Sequence, residues 1–392
     1  MSPTRPSRRI SAVTAASAIA AGVLLVPAVP AAATASGPAS ASSKGDSCTL
    51  VDSTMSAAAS VNEARTAAFA EYGNSGVGWT GGDSTYSLVL EDGRQAWFFS
   101  DTFLGPVDAD LGRPLSTPFL NNSIVVDDDG TLDTVTGGTD DAPESIIPPT
   151  PEGNWHWIGD PELNKKGDVQ IPLLQFERFG PGMWDWGWSA NRLATLDGTS
   201  LELESITELP SAVGINWGSY TLSEGNTTYI YGINDIEGVR SAFVARANGG
   251  DLATKWKFWD GKRWAPNEAD AVPVASYVAN EFSVEPYRDG YLMVTQDTSE
   301  LFSTRIVAQV SCSPTGPFTF AAELYRTPET GIFGSYGNAN VFTYNAHEHP
   351  EDRDGDTLLV TYNVNSFVGD DLYDDVTIYR PRFVDVELTI TP

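Results

Sequence analysis

The sequence predicts an all-β protein: a five-bladed β-propeller of four-stranded antiparallel blades, preceded by a short N-terminal helix. Three observations carry this. Helical periodicity all but disappears after Tyr72. From there short strand-like runs are cut by Gly, Asp and Pro. Sets of roughly four such runs recur about every 60–70 residues, the pattern of a long-bladed propeller.

Residues 1–35 read as a secretory signal peptide. Arg5, Arg8 and Arg9 precede the apolar run Ile10–Val26, and Ala33-Thr34-Ala35 supplies an A-x-A-like cleavage site. Arg8-Arg9 leaves twin-arginine export open, although Ile10-Ser11 is a poor continuation of that signal. Residues 36–46, rich in Ser, Ala and Gly, read as a disordered lead-in, and residues 47–392 as a single propeller domain. No later stretch is long and apolar enough to span a bilayer.

A short helix is expected over about Ser56–Tyr72, where Val61, Ala64, Ala68 and Phe69 share a face. Five sets of strands follow, at Gly78–Gly138, His156–Pro210, Asn216–Pro266, Asn280–Pro328 and Asn338–Pro392. An N-terminal strand near Cys48 would complete the last set and close the ring, leaving few exposed edges. Cys48 and Cys312 are the only cysteines of a chain bound for an oxidising compartment, so one disulfide is expected between them. Nothing in their surroundings suggests a catalytic thiol or a zinc site.

The formal charge is −29, and loss of Arg5, Arg8 and Arg9 with the leader takes it to −32. Nucleic acid and anionic membrane surfaces are therefore excluded as natural partners, whereas a neutral polysaccharide is not repelled. Oligomeric state leaves no trace in the sequence.

In a propeller the first strand of each set lines the channel, so polar residues there are the informative ones. They are Asp83, Asp160, Asn216, Glu281, Glu285, Asn340, His347 and His349. Folding residues 79–105 about Glu91-Asp92-Gly93 sets Asp83 opposite Asp101. Like charges so opposed destabilise a sheet unless they do acid/base work. A bulge would shift that register, and both residues also suit turns or strand ends. Asp160 before Pro161 has a turn reading as well. His347 and His349 could bind a metal, a water or a sugar hydroxyl, but two histidines without a third ligand favour structural hydrogen bonding. Trp155 with Trp157, and Trp184, Trp186 and Trp188, recur at two-residue spacing, suited equally to stacking sugar rings and to packing between blades. The acidic runs Asp127–Asp129 and Glu351–Asp356 read as hairpin turns, since Gly355 breaks calcium-loop spacing. Asn226-Thr227-Thr228 matches a glycosylation sequon.

The phrases GWTGGDSTYSLVLEDGR, WFFSDTFLG, NNSIVV, NWGSYTL, YIYGIND, FVARA, WKFWDG, NEFSV, SPTGPF, NAHEHP and VTYNVNS resemble a family of secreted bacterial domains long catalogued as of unknown function. Its characterised branch contains endo-D-arabinanases acting on the D-arabinan of mycobacterial cell walls. The resemblance covers about Gly78 to Pro381. It implies a five-bladed propeller and a glycosidase site of acidic residues on the channel face, acting on a polysaccharide outside the cell. The family's hairpin aspartates map onto Asp83 in GGDST and Asp101 in FSDTF, with Ser100 where related propellers commonly carry Gly. Analogy to other five-bladed arabinan-cleaving enzymes instead pairs Asp83 with Glu281. Catalytic candidates are thus Asp83, Asp101 and Glu281; substrate-binding candidates are Asp160, Trp184, Trp186, Trp188, Asn216, Glu285, Asn340 and His347. No cofactor or metal ligand set is implied, with a channel-bound calcium ion left open. The rival readings are a non-catalytic, lectin-like propeller at the cell surface and a calcium-dependent scaffold.

Overall fold

The computed structural model describes residues 48–392 except Met183 and Trp184, so the leader, the lead-in and Trp184 lie outside the described residues. Chain reversal falls where the turn residues put it. Gly93 (φ +93°) closes the first hairpin, while Gly130 (φ +86°) and Gly355 (φ +61°) sit at hairpin tips after the two acidic runs. At the second tip Asp127 Oδ1 accepts the Gly130 amide at 2.8 Å, an aspartate serving its own turn.

Five antiparallel blade sheets result, each built on four strands, with a small two-stranded sheet of Gly137–Thr139 and Ala142–Glu144 beside them. Blade 1 comprises Trp79–Val89, Gln95–Leu104, Ser123–Asp128 and Thr131–Val135. Blade 2 starts with an interrupted inner edge, Trp155–Ile158 and Glu162–Leu163, followed by Val169–Arg178, Trp186–Leu196 and Leu203–Glu208. Blade 3 holds Asn216–Glu224, Thr227–Ile236, Val239–Asn248 and Lys257–Trp259, and blade 4 Phe282–Tyr287, Gly290–Gln296, Arg305–Ser311 and Thr319–Arg326. Blade 5 runs Val341–Asp354, Thr357–Ser366 and Pro381–Thr391. Alternating apolar residues on these strands bury between neighbouring sheets. One apolar cluster fills each blade junction, for example Ile124, Ile171 and Leu173 between blades 1 and 2, and Leu292, Ala308 and Val360 between blades 4 and 5.

The ring is closed by Thr54–Val61, the outermost strand of blade 5, paired from Thr54↔Thr391 to Val61↔Val384. This corrects the expected helix, which spans Glu63–Asn74 rather than Ser56–Tyr72. Ser56–Val61 has alanine-rich, helix-compatible sequence, but pairing with the free edge of the last blade outweighs a weak local propensity. The Asn62 side chain caps the helix by accepting the Arg65 amide at 2.9 Å. Phe69 then anchors it in the aromatic junction of blades 5 and 1, against Trp79, Trp97 and Phe383. The Cys48–Cys312 disulfide, as expected, ties the start of this closing segment to blade 4. No helix among the described residues is long and apolar enough to cross a membrane.

Candidate active site

Three of the five innermost strands are bulged at the same level of the channel. In blade 1 the register slips around Ser84, and Ser84 and Thr85 take left-handed backbone (φ +69° and +67°). In blade 5 it slips after Tyr344, with Asn345 at φ +57°. In blade 3 it slips between Trp217 and Tyr220, with Gly218 at φ +106°. A regular strand sends successive side chains to opposite faces; a bulge puts two neighbours on one face. Asp83 with Ser84, and Tyr344 with Asn345, therefore all reach the same cavity. Left-handed backbone at the β-branched Thr85 is costly and needs support from its surroundings. His347 supplies it. Its ring nitrogens face the carbonyls of Thr85 (3.2 Å) and Asn345 (3.1 Å), joining the two bulges, while Asn363 donates to Thr85 Oγ1 at 2.9 Å.

The cavity, about 270 Å³, opens at the beginning of the innermost strands. Three carboxyl groups line it: Asp83 from blade 1, Glu281 from the residue preceding the first strand of blade 4, and Asp235, which is paired with Arg240. Tyr344 donates its hydroxyl to Asp83 Oδ2 at 2.8 Å. Glu281 Oε1 takes hydrogen bonds from Ser84 (2.8 Å) and Asn345 (2.7 Å), and Ser84 Oγ also lies 2.8 Å from Ser100 Oγ. The opposite oxygens, Asp83 Oδ1 and Glu281 Oε2, have no hydrogen-bond partner among the described residues. Each carboxyl thus has one firmly bonded oxygen, while the other is buried, and Glu281 Oε2 lies 3.8 Å from His347 Nδ1.

Burial raises the Asp83 carboxyl to about 7, with the neighbouring Asp101 charge adding to it and the Tyr344 and Tyr379 hydroxyls opposing. Burial also pushes Glu281 well above the usual carboxylate range; the Ser84 hydrogen bond opposes this, and the charges of Asp83 and Asp160 reinforce it. Asp101 stands beside Asp83 as the hairpin register predicts, but it does not line the cavity. Its Oδ1 accepts from Asn121 Nδ2 and Trp157 Nε1, both at 3.0 Å.

One wall of the cavity is aromatic. Trp157, Phe176, Trp186 and Trp188 line it, with Trp157 4.3 Å from Phe176 and edge-on to Trp186 at 5.7 Å between ring centroids. Trp155 packs behind them against Phe176 and Trp186. Asn216 lines the cavity from blade 3.

Residues 66–388 match the family described as Domain of unknown function (DUF5005). The chain belongs to that family. No curated protein matches it. Among solved structures it is similar to a protein of Bacteroides ovatus ATCC 8483 described as a candidate hydrolase, at TM-score 0.71 and 20% identity over 86% of this chain and 94% of the other. That likeness shows the propeller fold. Looser likenesses include an α-L-arabinofuranosidase of Podospora anserina (TM-score 0.47, 9% identity, 80% and 93% covered). Another is a family 117 glycoside hydrolase produced by Zobellia galactanivorans (TM-score 0.42, 10% identity, 86% and 90% covered).

Several residues singled out from the sequence of this family member lie elsewhere. Asp160, Glu285 and His347 line a second compartment of about 190 Å³, farther along the same channel. Tyr86 separates the two: it borders both cavities, stacks on His347 and donates across the channel to the Ser219 carbonyl at 3.0 Å. Asn340 belongs to the turn before the inner strand of blade 5, its amide bonded to Asn338, and lines neither compartment. His349 is buried against Thr361 and Trp97. Sequence reasoning missed Ser84, Tyr344 and Asn345. Strict strand alternation excludes Ser84 and Asn345, and only their neighbours in GGDST and YNAHEH gave a signal. Among the described residues no group of three or more His, Cys, Asp or Glu is arranged to hold a metal ion.

Proposed function

We propose that this protein is an exported glycoside hydrolase that cleaves furanosidic bonds within a polysaccharide, acting endo on arabinan of the D-arabinan type found in actinobacterial cell walls. The observation that carries the reading is the pair Asp83 and Glu281. They are contributed by different blades to one aromatic-walled cavity. Paired carboxyl groups flanking the scissile bond are what glycoside hydrolysis needs.

Glu281, whose burial favours its protonated form, is the acid and delivers its proton to the departing glycosidic oxygen. Asp83, whose charged form is favoured by the hydroxyls of Tyr344 and Tyr379, is its partner. It either attacks the anomeric carbon or takes a proton from the water that adds there, through an oxocarbenium-like transition state. Asp101 stays outside the cavity and acts through Asp83, as a fixed charge that raises its proton affinity. The exposed faces of Trp186 and Trp188 suit sugar C–H faces. Substrate class rests on the sequence resemblance, and export on the leader together with the disulfide.

The test is release of reducing sugar and product chromatography for wild type and Asp83→Asn on arabinogalactan, lipoarabinomannan and plant arabinans. Oligosaccharides released from D-arabinan by wild type and lost in the variant are expected. Glycan binding by both proteins with no cleavage of any polymer would replace the enzyme by a lectin-like propeller.

A further inference from the structure

A second cavity of about 280 Å³ adjoins the candidate active site on the side away from the tryptophans. The two share Asp235, Arg240, Asn280, Tyr344 and Asn345 as lining residues, so they form one cleft that bends around the Arg240 side chain. Arg240 is fixed in that position by Asp235 (2.9 Å) and by Asn280 Oδ1 (2.6 Å). Each cavity alone falls below the roughly 300–1,000 Å³ of an ordinary ligand pocket; joined, they fall within it.

The far arm has its own aromatic platform. Phe302 lines it and packs on Phe342 and Phe367 at 5.4 and 4.7 Å, and Phe342 in turn lies 5.5 Å from Tyr344, the residue that holds Asp83. Phe302 has left-handed backbone (φ +52°), an outlier for a bulky residue. Its loop is pinned by Gln296 Nε2, which donates to the carbonyl of Ser303 and also to that of Thr343, the latter at 2.9 Å. Beyond Phe302 the surface stays apolar and open, with Phe367 at 53% and Leu301 at 74% exposure. Rings standing free at the mouth of a polar cleft mark a binding surface.

We propose that the Phe302–Phe367 arm is a second set of sugar-binding subsites, which holds the polysaccharide on the side of the carboxyl pair opposite Trp157, Trp186 and Trp188. The occupant is the continuation of the same glycan chain, because the arm is continuous with the cavity that holds the pair. It rests on the glycoside hydrolase reading of that pair and adds to it a chain gripped on both sides of the cut, the arrangement endo cleavage requires. Phe302 and Phe367 supply stacking faces, while Asn280 and Thr298 supply groups for sugar hydroxyls.

The experiment compares wild type, Phe367→Ala, Phe302→Ala/Phe367→Ala and, as control, Phe320→Ala. Phe320 is an exposed ring on the outermost strand of blade 4, away from the cleft. Two readouts are taken on arabinogalactan and debranched plant arabinan: KM with product-length distribution, and affinity by titration calorimetry in an Asp83→Asn background. The expected result is a roughly tenfold rise in KM for polymer and a comparable loss of affinity in the double variant. Its products should shift in length, while turnover of the shortest cleavable oligosaccharide stays within twofold of wild type. Phe367→Ala, which removes only a half-exposed ring, should show a smaller effect in the same direction and covers the case of a misfolded double variant. Both arm variants matching Phe320→Ala in affinity and products overturns the arm, as does failure of the wild type to bind either polymer. Binding that depends on the arm without cleavage by any protein overturns the hydrolase reading and keeps the arm.

Discussion

The two compartments of the channel are built from the same five inner strands and both contain carboxyl groups, yet their chemistry differs. In the inner compartment Asp160 Oδ2 accepts the amide and hydroxyl of Thr221, both at 2.8 Å. There too Glu285 takes the Tyr220 hydroxyl at 2.5 Å, and Arg353 lies 2.5 Å from Glu348 Oε1. In the outer compartment Asp83 Oδ1 and Glu281 Oε2 are buried without a hydrogen-bond partner, beside an indole wall. Acidity therefore does not distinguish the compartments. Nor does partnership, since Glu348 in the inner compartment also keeps a buried oxygen without a hydrogen-bond partner; the wall does, with Trp157, Phe176, Trp186 and Trp188 lining the outer compartment and no tryptophan lining the inner one.

The sharpest way to break this comparison is to neutralise one carboxyl in each compartment. Glu281→Gln should lower kcat by roughly 10²–10⁴-fold, the usual worth of a general acid, while Glu285→Gln should leave kcat within a factor of about two. Equal losses in steady-state assays would mean that the compartments act as one site. Next in size is Trp186→Ala, where loss of a stacking face should raise KM for polymer about tenfold with little change in kcat. Asp101→Asn comes third. Removing the charge that helps hold Asp83 near 7 should move the acidic limb of the kcat/KM pH profile to lower pH, and an unmoved limb would show that burial alone sets it.

The smallest effect concerns stability. Burial raises Glu285 to about 7 in the fold, above its value of roughly 4.3 in an unfolded chain. Between those values the unfolded state has lost the proton and the folded state keeps it. Stability is then full below about 4.3, falls as pH rises towards 7 and levels off above. Glu285→Gln should remove that slope, so melting temperatures of the two proteins should diverge across this window, with the variant gaining on the order of 1–2 kcal/mol after allowance for partial solvent access. Parallel melting curves from pH 4 to 8 would show that Glu285 titrates alike in both states.

Much of the propeller was legible because its signals are local. Turn residues fixed where strands reverse, and alternation fixed which residues pack between blades. A cysteine count in an oxidising context named the Cys48–Cys312 bond. The helix start was misplaced because the strand at Thr54–Val61 exists only by pairing with Pro381–Thr391, more than three hundred residues away in sequence. Asp83 and Glu281 were legible as polar residues on first strands, and Asp101 as the cross-hairpin neighbour of Asp83. Asp160, Glu285 and His347 looked equivalent to them, because a one-dimensional pattern does not say how far along the channel each strand position sits.

By itself, then, the sequence determined an all-β repeat architecture, a strongly acidic composition, and a hairpin bringing two aspartates together. Which carboxyls share the aromatic-walled cavity was decided only by tertiary structure. The physical reason lies in the bulges. Left-handed backbone at Ser84 and Thr85 has no local sequence signature, and Asn345 is the only one of the three whose residue type favours it. It is maintained by contacts such as His347 with the Thr85 and Asn345 carbonyls, which form only when blades 1 and 5 meet at the closure of the ring.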